Sequence, residues 1–381
     1  MGKKIAIINS LGAHGSSFHL YLYGQAYGLK QSGMDVSIYT NNVTKDPEYE
    51  GVRFFCFYKN IFSSSLKIIS AIRYLFGSIH SILHAKFNGV EICHYHIFHL
   101  NILTLFDHLL TKFLRMKIVY TVHDVISFED NSSNKILSKW VYRKADKILT
   151  HNQFSADIFK DYYSDPSLSV DIIKHGNYIP FLNQIPEKSY ARRSLGLAEN
   201  KKVLLFFGMI KKVKGLEILL RSLKDVIKIH PDIFLVIAGR AWKNDFSDYQ
   251  RIIDKYNLHD YCLIRNEYIK QQDVSLYYSS ADLVVMPYTR IYQSGVLLMS
   301  MSYNIPVLVS DLPPLTEVIQ DNKTGFVFKN GDNKSLSKKI NQIFSELGKI
   351  DQVSKNAERL INRNYDWKEV GENLQRVYGS I

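Results

Sequence analysis

A short apolar strand, a helix and a second short strand follow one another between residues 283 and 309, and this order restricts the fold more than any other feature. Residues 283–286 (LVVM) are all apolar and two of the four are β-branched, as in a strand that is buried in a parallel sheet. After a polar loop, residues 296–304 are compatible with a helix that Ile305 and Pro306 end. Residues 307–309 form the next strand. Neighbouring parallel strands need such a crossover helix, so the segment predicts an open α/β sheet.

The start of that helix is the first candidate binding site. Ser294 suits the N-cap position, and Gly295 lets the backbone of Val296 and its neighbours approach a ligand closely. No Asp or Glu lies between Asp282 and Asp311, so the positive end of the helix dipole is unopposed. We interpret the segment as an anion-binding site, and an ordinary capped helix is the alternative.

The first half of the chain shows the same alternation. It predicts a helix over 18–31 and strands over 4–9, 36–40, 92–99, 118–122, 145–152 and 170–178. Gly12 and Gly15 follow the first strand without forming G-x-G-x-x-G, so no dinucleotide fingerprint is present. They are expected either to let the backbone approach a substrate or to form a plain turn.

Polar residues end two of these strands. His123 and Asp124 follow strand 118–122, at the position where open α/β sheets bind ligands. A buried, unpaired His-Asp would be costly without a purpose, so we expect a functional role. His94 and His96 share one face of their strand, but no acidic or Cys partner is nearby in sequence, and no metal site is predicted.

The second half repeats the pattern after a connection over 181–202 that contains Pro186, a charged run over 187–193 and little periodicity. Gly208 and Gly239 close strands 203–208 and 234–238, and Lys211, Lys212 and Lys214 follow the first of these strands. Two such domains are expected to leave a cleft between their strand ends. Lysines opposite a helix N-terminus would form a diphosphate clamp.

The charge and composition of the chain indicate which kinds of partner it is expected to bind. Of the 381 residues, 48 are Lys or Arg and 36 are Asp or Glu, giving a formal charge of +12 that both halves share. This spread favours an anionic ligand or an anionic membrane surface over nucleic acid. Residues 51–90 hold no acidic residue, and apolar residues recur there at helical spacing from Phe62 to Leu83. They predict an amphipathic helix that either lies on a membrane or faces the core.

The three cysteines are isolated, and the chain has neither an apolar leader nor a run long enough to span a bilayer. We therefore expect a cytoplasmic protein, at most peripheral at the inner face of the membrane.

These motifs resemble a known family, the GT-B fold glycosyltransferases of the glycosyltransferase family 4-like group. Residues 206–215 (FFGMIKKVKG) are similar to the family's F-x-G-R-x-x-x-x-K-G region, which places Lys214 on its phosphate-binding lysine. Residues 279–287 (SSADLVVMP) and 305–311 (IPVLVSD) also match, as do Glu317 and the Thr-Gly turn at 324–325. The Asp-Trp at 366–367 resembles the start of the family's C-terminal helix.

The resemblance implies an α/β fold of two facing Rossmann-like domains with an interdomain cleft. We predict an acceptor-binding domain at 1–180, a linker at 181–202, a nucleotide-sugar-binding domain at 203–365, and a helix at 366–381 that crosses back to the first domain. Donor contacts are expected at Gly12, Gly15, Gly208, Lys211, Lys214, Gly239, Ser294, Gly295, Val296 and Glu317.

The expected activity is transfer of a hexose from a UDP- or GDP-linked donor to a lipid-linked or oligosaccharide acceptor in surface polysaccharide biosynthesis. Asp124 is the candidate base, and His123 and His14 are its alternatives; neither a metal nor a cofactor is expected. The family's two glutamates would fall on Ile291 and Met299, which leaves the choice between retention and inversion open. Their absence also admits a non-catalytic sugar-nucleotide-binding partner subunit, and a GT-B epimerase or phosphorylase is a further alternative.

Overall fold

The structure is a computed structural model, and it describes residues 3–14, 18–126, 135–182, 184–242 and 245–381. The chain divides into two compact units. The first consists of Met1–Gly176 and Tyr365–Ile381, and the second is Asn177–Asn364. Each unit is an α/β sheet, which confirms the predicted fold class.

The first unit alternates strands and helices. In the described residues its seven strands form one parallel sheet in the order β3-β2-β1-β4-β5-β6-β7. The elements are β1 Lys4–Ile8, α1 Phe18–Gln31, β2 Asp35–Asn41, β3 Val52–Tyr58, α2 Lys67–Phe87, β4 Ile92–Ile97, α3 Ile102–Phe113, β5 Lys117–Val122, α4 Lys135–Lys144, β6 Lys147–Thr150, α5 Gln153–Tyr163 and β7 Val170–Ile172.

The second unit has the same architecture. Its described part contains a six-stranded parallel sheet in the order β10-β9-β8-β11-β12-β13. The elements are α6 Lys188–Leu195, β8 Lys202–Phe207, α7 Leu216–Ile229, β9 Ile233–Ala238, α8 Ser247–Lys255, β10 Cys262–Arg265, α9 Val274–Ser280, β11 Leu283–Met286, α10 Gly295–Ser302, β12 Val307–Ser310, α11 Pro313–Thr316, β13 Phe326–Phe328, α12 Asn333–Ser345 and α13 Leu347–Asn364. Short 3-10 turns cover Ile179–Phe181, Lys212–Lys214, His259–Tyr261 and Gln271–Asp273.

The last helix, α14 (Trp367–Gly379), packs on α1 in the first unit. A Cβ atom on Gly371 would lie 2.0 Å from the backbone oxygen of Gly28, so the two helices touch backbone to backbone. The buried Trp367 ring fills the space beside Gly24 and Gly176. The C-terminal segment is therefore part of the core of the first unit.

Two sequence expectations differ from the structure. The segment 181–202, predicted to be an irregular connection, contains α6, whose buried Arg192 pairs with Asp282 at 2.7 Å and so ties the helix to the second unit. Strand β3 has no counterpart among the predicted strands, because its VRFFCFY sequence lacks the alternation of a half-buried strand.

Helix α2 is present, but its apolar stripe faces outward. Its buried positions are Gly77, Ser78, Ser81, Ile82 and Ala85, small residues that let the helix pack closely. The larger Leu66, Ile69, Ile72 and Phe76 are exposed. The core-facing alternative therefore does not describe the stripe up to Phe76, whereas Ile79 and Leu83 are half-buried. Within the described residues, no helix combines the length and the hydropathy needed to cross a bilayer.

Candidate active site

The carboxyl ends of β8, β11 and β12 bring together most of the predicted donor-binding residues of the second unit. Strand β11 pairs with both β8 and β12, so the segments that follow the three strands lie side by side. The loop after β8 is joined to the segment after β11 because the amide of Thr289 donates to the carbonyl of Val213 at 2.9 Å. The hydroxyl of Ser310, at the end of β12, donates to the carbonyl of Tyr288 at 2.6 Å.

Two glycines make this close approach possible. Gly215 has φ +66°, and a Cβ atom there would lie 1.9 Å from the carbonyl oxygen of Pro287. Gly239 has φ +145°, and its Cβ would lie 2.1 Å from the carbonyl oxygen of Gly208. Both combine a left-handed backbone with a missing side chain, which only glycine provides without strain. Gly208 and Gly239 therefore shape the floor of this edge by packing on each other.

Lys214 is held in a fixed position at this edge. Its ammonium group donates to the hydroxyl of Tyr288 at 2.8 Å and lies 4.3 Å from the centre of the Tyr288 ring. Tyr288 is buried and Lys214 half-buried. A lysine whose stem is packed and whose charge rests on an aromatic ring loses little side-chain entropy when it meets an anion. Lys211 precedes it, half-buried, at the start of the Lys212–Lys214 turn.

The N-terminus of α10 lies at the same edge. Ser294 is its N-cap, as predicted: its backbone is extended, and its hydroxyl accepts from the amide of Leu297 at 3.2 Å. The helix begins at Gly295, one residue earlier than predicted, and its first turn holds no acidic residue. First-turn amides have no partner within a helix, so this terminus presents N–H groups and a partial positive charge.

Contacts show how closely α10 adjoins its neighbours. A Cβ on Gly208 would lie 3.3 Å from a methyl group of Val296, so the end of β8 touches the first turn of α10. A Cβ on Gly295 would lie 2.8 Å from the hydroxyl of the buried Tyr178.

Glu317, another predicted donor contact, is exposed at the end of α11. Ile291 and Met299, where the family's glutamates would stand, are half-buried and buried.

The first unit has its own polar edge around the loop that follows β1. The amide of Gly12 donates to the side chain of Asn9 at 2.8 Å, and that of Ala13 to the hydroxyl of Thr44 at 2.9 Å. His14 ends the described part of the loop, is exposed, and stacks on Phe62 with 3.7 Å between ring centres. Gly15 lies outside the described residues.

His123 is buried at the end of β5, but it is not unpaired as expected. Its Nε2 lies 3.1 Å from Nδ1 of His96, and its Nδ1 lies 3.1 Å from Nε2 of His151. Its ring also stacks on Phe98 with 4.5 Å between centres. Because neighbouring imidazoles satisfy both nitrogens, burial by itself does not require a function for His123, and its catalytic role stays a prediction. Asp124, the next residue, is half-buried.

His123 belongs to a longer series of side-chain hydrogen bonds in the interior of the first unit. The side-chain amide of Gln25 contacts Nε2 of His96 at 2.8 Å and Nδ1 of His94 at 3.1 Å. The hydroxyl of Tyr378, on α14, lies 2.5 Å from the same Nδ1 of His94. Sequence analysis predicted the shared face of His94 and His96 but missed the other members, because residues 25, 151 and 378 are distant in sequence.

The backbone at one end of this chain of hydrogen bonds fixes the position of the proton on His151. Nδ1 of His151 lies 2.9 Å from the carbonyl of Ile173, which only accepts, so this Nδ1 carries a proton. At the other end Nε2 of His96 lies 2.8 Å from Oε1 of Gln25, which also only accepts, so three neutral imidazoles leave one contact of this chain without a donor. Burial lowers the pKa of His151 to about 4 and of His94 to about 3, and it lowers the pKa of His96 and His123 well below 6.5. The imidazoles are therefore neutral at pH 7, and His123 suits a positioning role better than that of a base.

A cavity of about 570 Å³ opens at the same edge of the first unit. The ends of β1 and β4 and the first turns of α2 and α3 line it. Among the described residues, no group of three or more His, Cys, Asp or Glu is arranged to hold a metal ion.

Two family descriptions match the two halves of this chain. The description "Glycosyltransferase Family 4" matches residues 20–176, and "Glycosyl transferases group 1" matches residues 187–363. The chain belongs to the GT-B glycosyltransferases of the family 4-like group.

The individual proteins compared here share 30% sequence identity or less with this chain. The chain is 30% identical over 202 residues to spore coat protein SA of Bacillus subtilis, a match that covers 49% of this chain and 51% of that protein. It is 25% identical over 239 residues to the lipopolysaccharide 1,2-N-acetylglucosaminetransferase of Salmonella typhimurium, covering 60% of this chain and 61% of the relative. The matches thus span about half to two thirds of these curated relatives. The solved structure of Anabaena HepE in complex with UDP and glucose superimposes with a TM-score of 0.78 over 100% of both chains at 19% identity.

Proposed function

We propose that the protein is a glycosyltransferase that moves a hexose from a UDP- or GDP-linked donor to an acceptor in surface polysaccharide biosynthesis. One observation carries this proposal: Lys214 is fixed on Tyr288 at the sheet edge that also holds the N-terminus of α10. A cation and helix amides together bind a diphosphate and stabilise it as a leaving group. The family membership supports the reaction, and the UDP in the HepE structure supports a UDP-linked donor.

In the reaction, an acceptor oxygen bonds to the anomeric carbon while the bond from that carbon to the phosphate oxygen breaks. The nucleoside diphosphate leaves against Lys214, Lys211 and the first turn of α10. An inverting enzyme also needs a base for the acceptor's proton, and Asp124 is the candidate, with His14 the alternative. A retaining enzyme needs mainly the leaving-group contacts. Asp124→Asn separates the two mechanisms: a loss of turnover with donor affinity unchanged supports inversion, and wild-type turnover removes Asp124 as the base.

The proposed chemistry needs neither a metal nor a cofactor, because the lysines and helix amides supply the positive charge at the leaving group. Dialysis against EDTA should leave turnover unchanged. Loss of activity that Mg²⁺ or Mn²⁺ restores would contradict this part of the proposal.

A non-catalytic partner subunit that binds a sugar nucleotide is the second candidate. The apolar Ile291 and Met299 favour it, because they cannot make the polar contacts to the sugar and ribose that the family's glutamates make. A thermal-shift screen against UDP-, GDP- and dTDP-sugars, followed by NMR assignment of the product's anomeric configuration, tests both candidates. Release of the nucleoside diphosphate only when an acceptor is present indicates a transferase. Tight donor binding with no transfer to any acceptor pool indicates a partner subunit.

The outward face of α2 supports a peripheral membrane location and a lipid-linked acceptor. Ile68 is 75% exposed and Phe76 is 60% exposed, on a segment without acidic residues. Exposed apolar side chains with interspersed Lys and Arg suit the headgroup region of an anionic bilayer. Burying one Ile is worth roughly 1.5–3 kcal/mol, so Ile68→Glu/Ile72→Glu should weaken partitioning at least about tenfold.

Sedimentation with phosphatidylglycerol vesicles measures this partitioning. Lys228→Glu, on α7 of the second unit, is the control for added negative charge. Equal sedimentation of the wild type and the double variant would contradict the proposed surface.

A further inference from the structure

The cavity of the first unit has an apolar interior although several tyrosines line it. The hydroxyl of Tyr95 bonds to that of Thr111 at 2.6 Å, and the hydroxyl of Tyr120 lies 2.9 Å from Nδ1 of His108. The Tyr58 hydroxyl lies 3.3 Å from that of Ser78. These three tyrosines therefore use their hydroxyl groups inside the protein and offer carbon surface to the cavity.

The one carboxylate of the described cavity wall is also turned inward. Asp107 is buried, and its Oδ2 accepts from the Tyr74 hydroxyl at 2.5 Å. Its Oδ1 is fully buried and accepts no hydrogen bond. Burial raises the pKa of Asp107 to about 7, so this carboxyl is only partly ionised near neutral pH. A sugar ring, whose hydroxyls all need partners, fits such a lining poorly.

Polar residues also line the cavity; of these, Asn9 and His96 are buried. Lys67, His14 and His99 are exposed residues among those that line it. Lys67 is the first residue of α2, directly before the exposed Ile68 and Ile69. The mouth thus combines a cation with the apolar, outward-facing start of a helix, and the interior is mainly carbon. This is the complement of an amphiphile with an anionic head and an apolar tail.

We propose that the cavity binds the first apolar segment of a lipid phosphate acceptor, with the phosphate at Lys67. This inference rests on the proposed function, which it makes more specific: the acceptor is a glycan carried on a prenyl or acyl chain phosphate. The chain reaches the cavity from the bilayer past the exposed start of α2.

The test uses the whole chain and alkyl phosphates of increasing length, from methyl to dodecyl, below their micelle concentrations. Isothermal titration calorimetry should show an affinity that rises up to about fourfold per buried methylene and then levels off, because the cavity is finite. Ala71 lines the cavity on α2, so Ala71→Trp should weaken dodecyl phosphate at least tenfold. Ile229→Trp adds the same ring at an exposed position on α7 of the second unit and should leave the affinity unchanged.

The affinity for UDP is measured on each sample and reports the proposed function separately. Wild-type protein that binds UDP but binds dodecyl phosphate no better than methyl phosphate overturns the inference and leaves the transferase proposal in place. Equal weakening by Ala71→Trp and Ile229→Trp also overturns it, since the loss would then not come from filling the cavity. Should Ala71→Trp fail to fold, Leu103→Trp fills the cavity from α3, and the chain-length series on the wild type needs no variant.

Discussion

Removing the Lys214 ammonium should weaken nucleotide binding by a predictable amount. A hydrogen bond to a charged group contributes roughly 1.5–3 kcal/mol, and about 1.4 kcal/mol is a factor of ten in affinity. Lys214 is half-buried and already bonded to Tyr288, so little of this gain is lost to ordering the side chain. We therefore expect Lys214→Ala to raise the dissociation constant for UDP about 10- to 100-fold.

Tyr288→Phe separates the charge from its support. It removes the 2.8 Å hydrogen bond but keeps the ring on which the ammonium group rests, so we expect a loss of only about 1 kcal/mol, or roughly fivefold. Lys228→Ala removes an equal charge from an exposed position at the far end of α7 and is the control for net charge.

Calorimetric titration with UDP at constant ionic strength is the assay, because salt screens the more distant charges. Thermal midpoints of the three variants show whether folding is intact. A Lys214→Ala protein that is folded and binds UDP within twofold of the wild type would refute the reasoning, and the diphosphate site would have to lie elsewhere.

Three further predictions concern stability. Gly215→Ala should lower the free energy of unfolding by well over 2 kcal/mol, since the strain of a left-handed backbone, roughly 1–2 kcal/mol, adds to the clash with Pro287. Gly331 also has a left-handed backbone, with φ +75°, but open space around it, so Gly331→Ala should lower the free energy of unfolding by only about 1 kcal/mol. Equal melting temperatures of the two variants would contradict this difference. Asp107→Asn should stabilise the protein at pH 7.5. The pKa of the Asp107 carboxyl is raised to about 7 in the folded protein, so its contribution to folding stability is lost as the pH rises above the unfolded pKa of 3.8. A lower melting temperature for the variant would contradict this prediction. In the Asp107→Asn variant, acidification from pH 7.5 to 5.5 should lower the melting temperature of the first unit by about 10 °C. Burial keeps the pKa of His94, His151 and His175 at about 3 to 4, so the stability that these neutral imidazoles contribute is lost as the pH falls below their unfolded pKa of 6.5. Calorimetric melts with an unchanged midpoint would exclude neutral buried imidazoles.

The sequence predicted the sheet architecture well because buried parallel strands leave a local signal. Residues 283–286 and 18–31 are apolar or periodic over the whole length of the element, and the structure places β11 and α1 at those bounds. The N-cap at Ser294 was equally local, since one hydroxyl and the next three residues decide it. The prediction failed at β3 and within 181–202, where aromatic or charged residues hide the periodicity.

Sequence alone therefore determined the fold class, the order of the elements and the position of the helix terminus that we interpret as an anion-binding site. Only the tertiary structure decided which polar residues meet. His96 lies on β4, and His123 and His151 directly follow β5 and β6, which become its neighbours in the parallel sheet. Tyr378 joins them because α14 returns to α1. The direction in which α2 turns its apolar stripe was decided in the same way, because small residues pack closely against the sheet and larger ones are left outside. Local patterns record what a segment prefers, whereas pairing depends on contacts between residues that are tens to hundreds of positions apart.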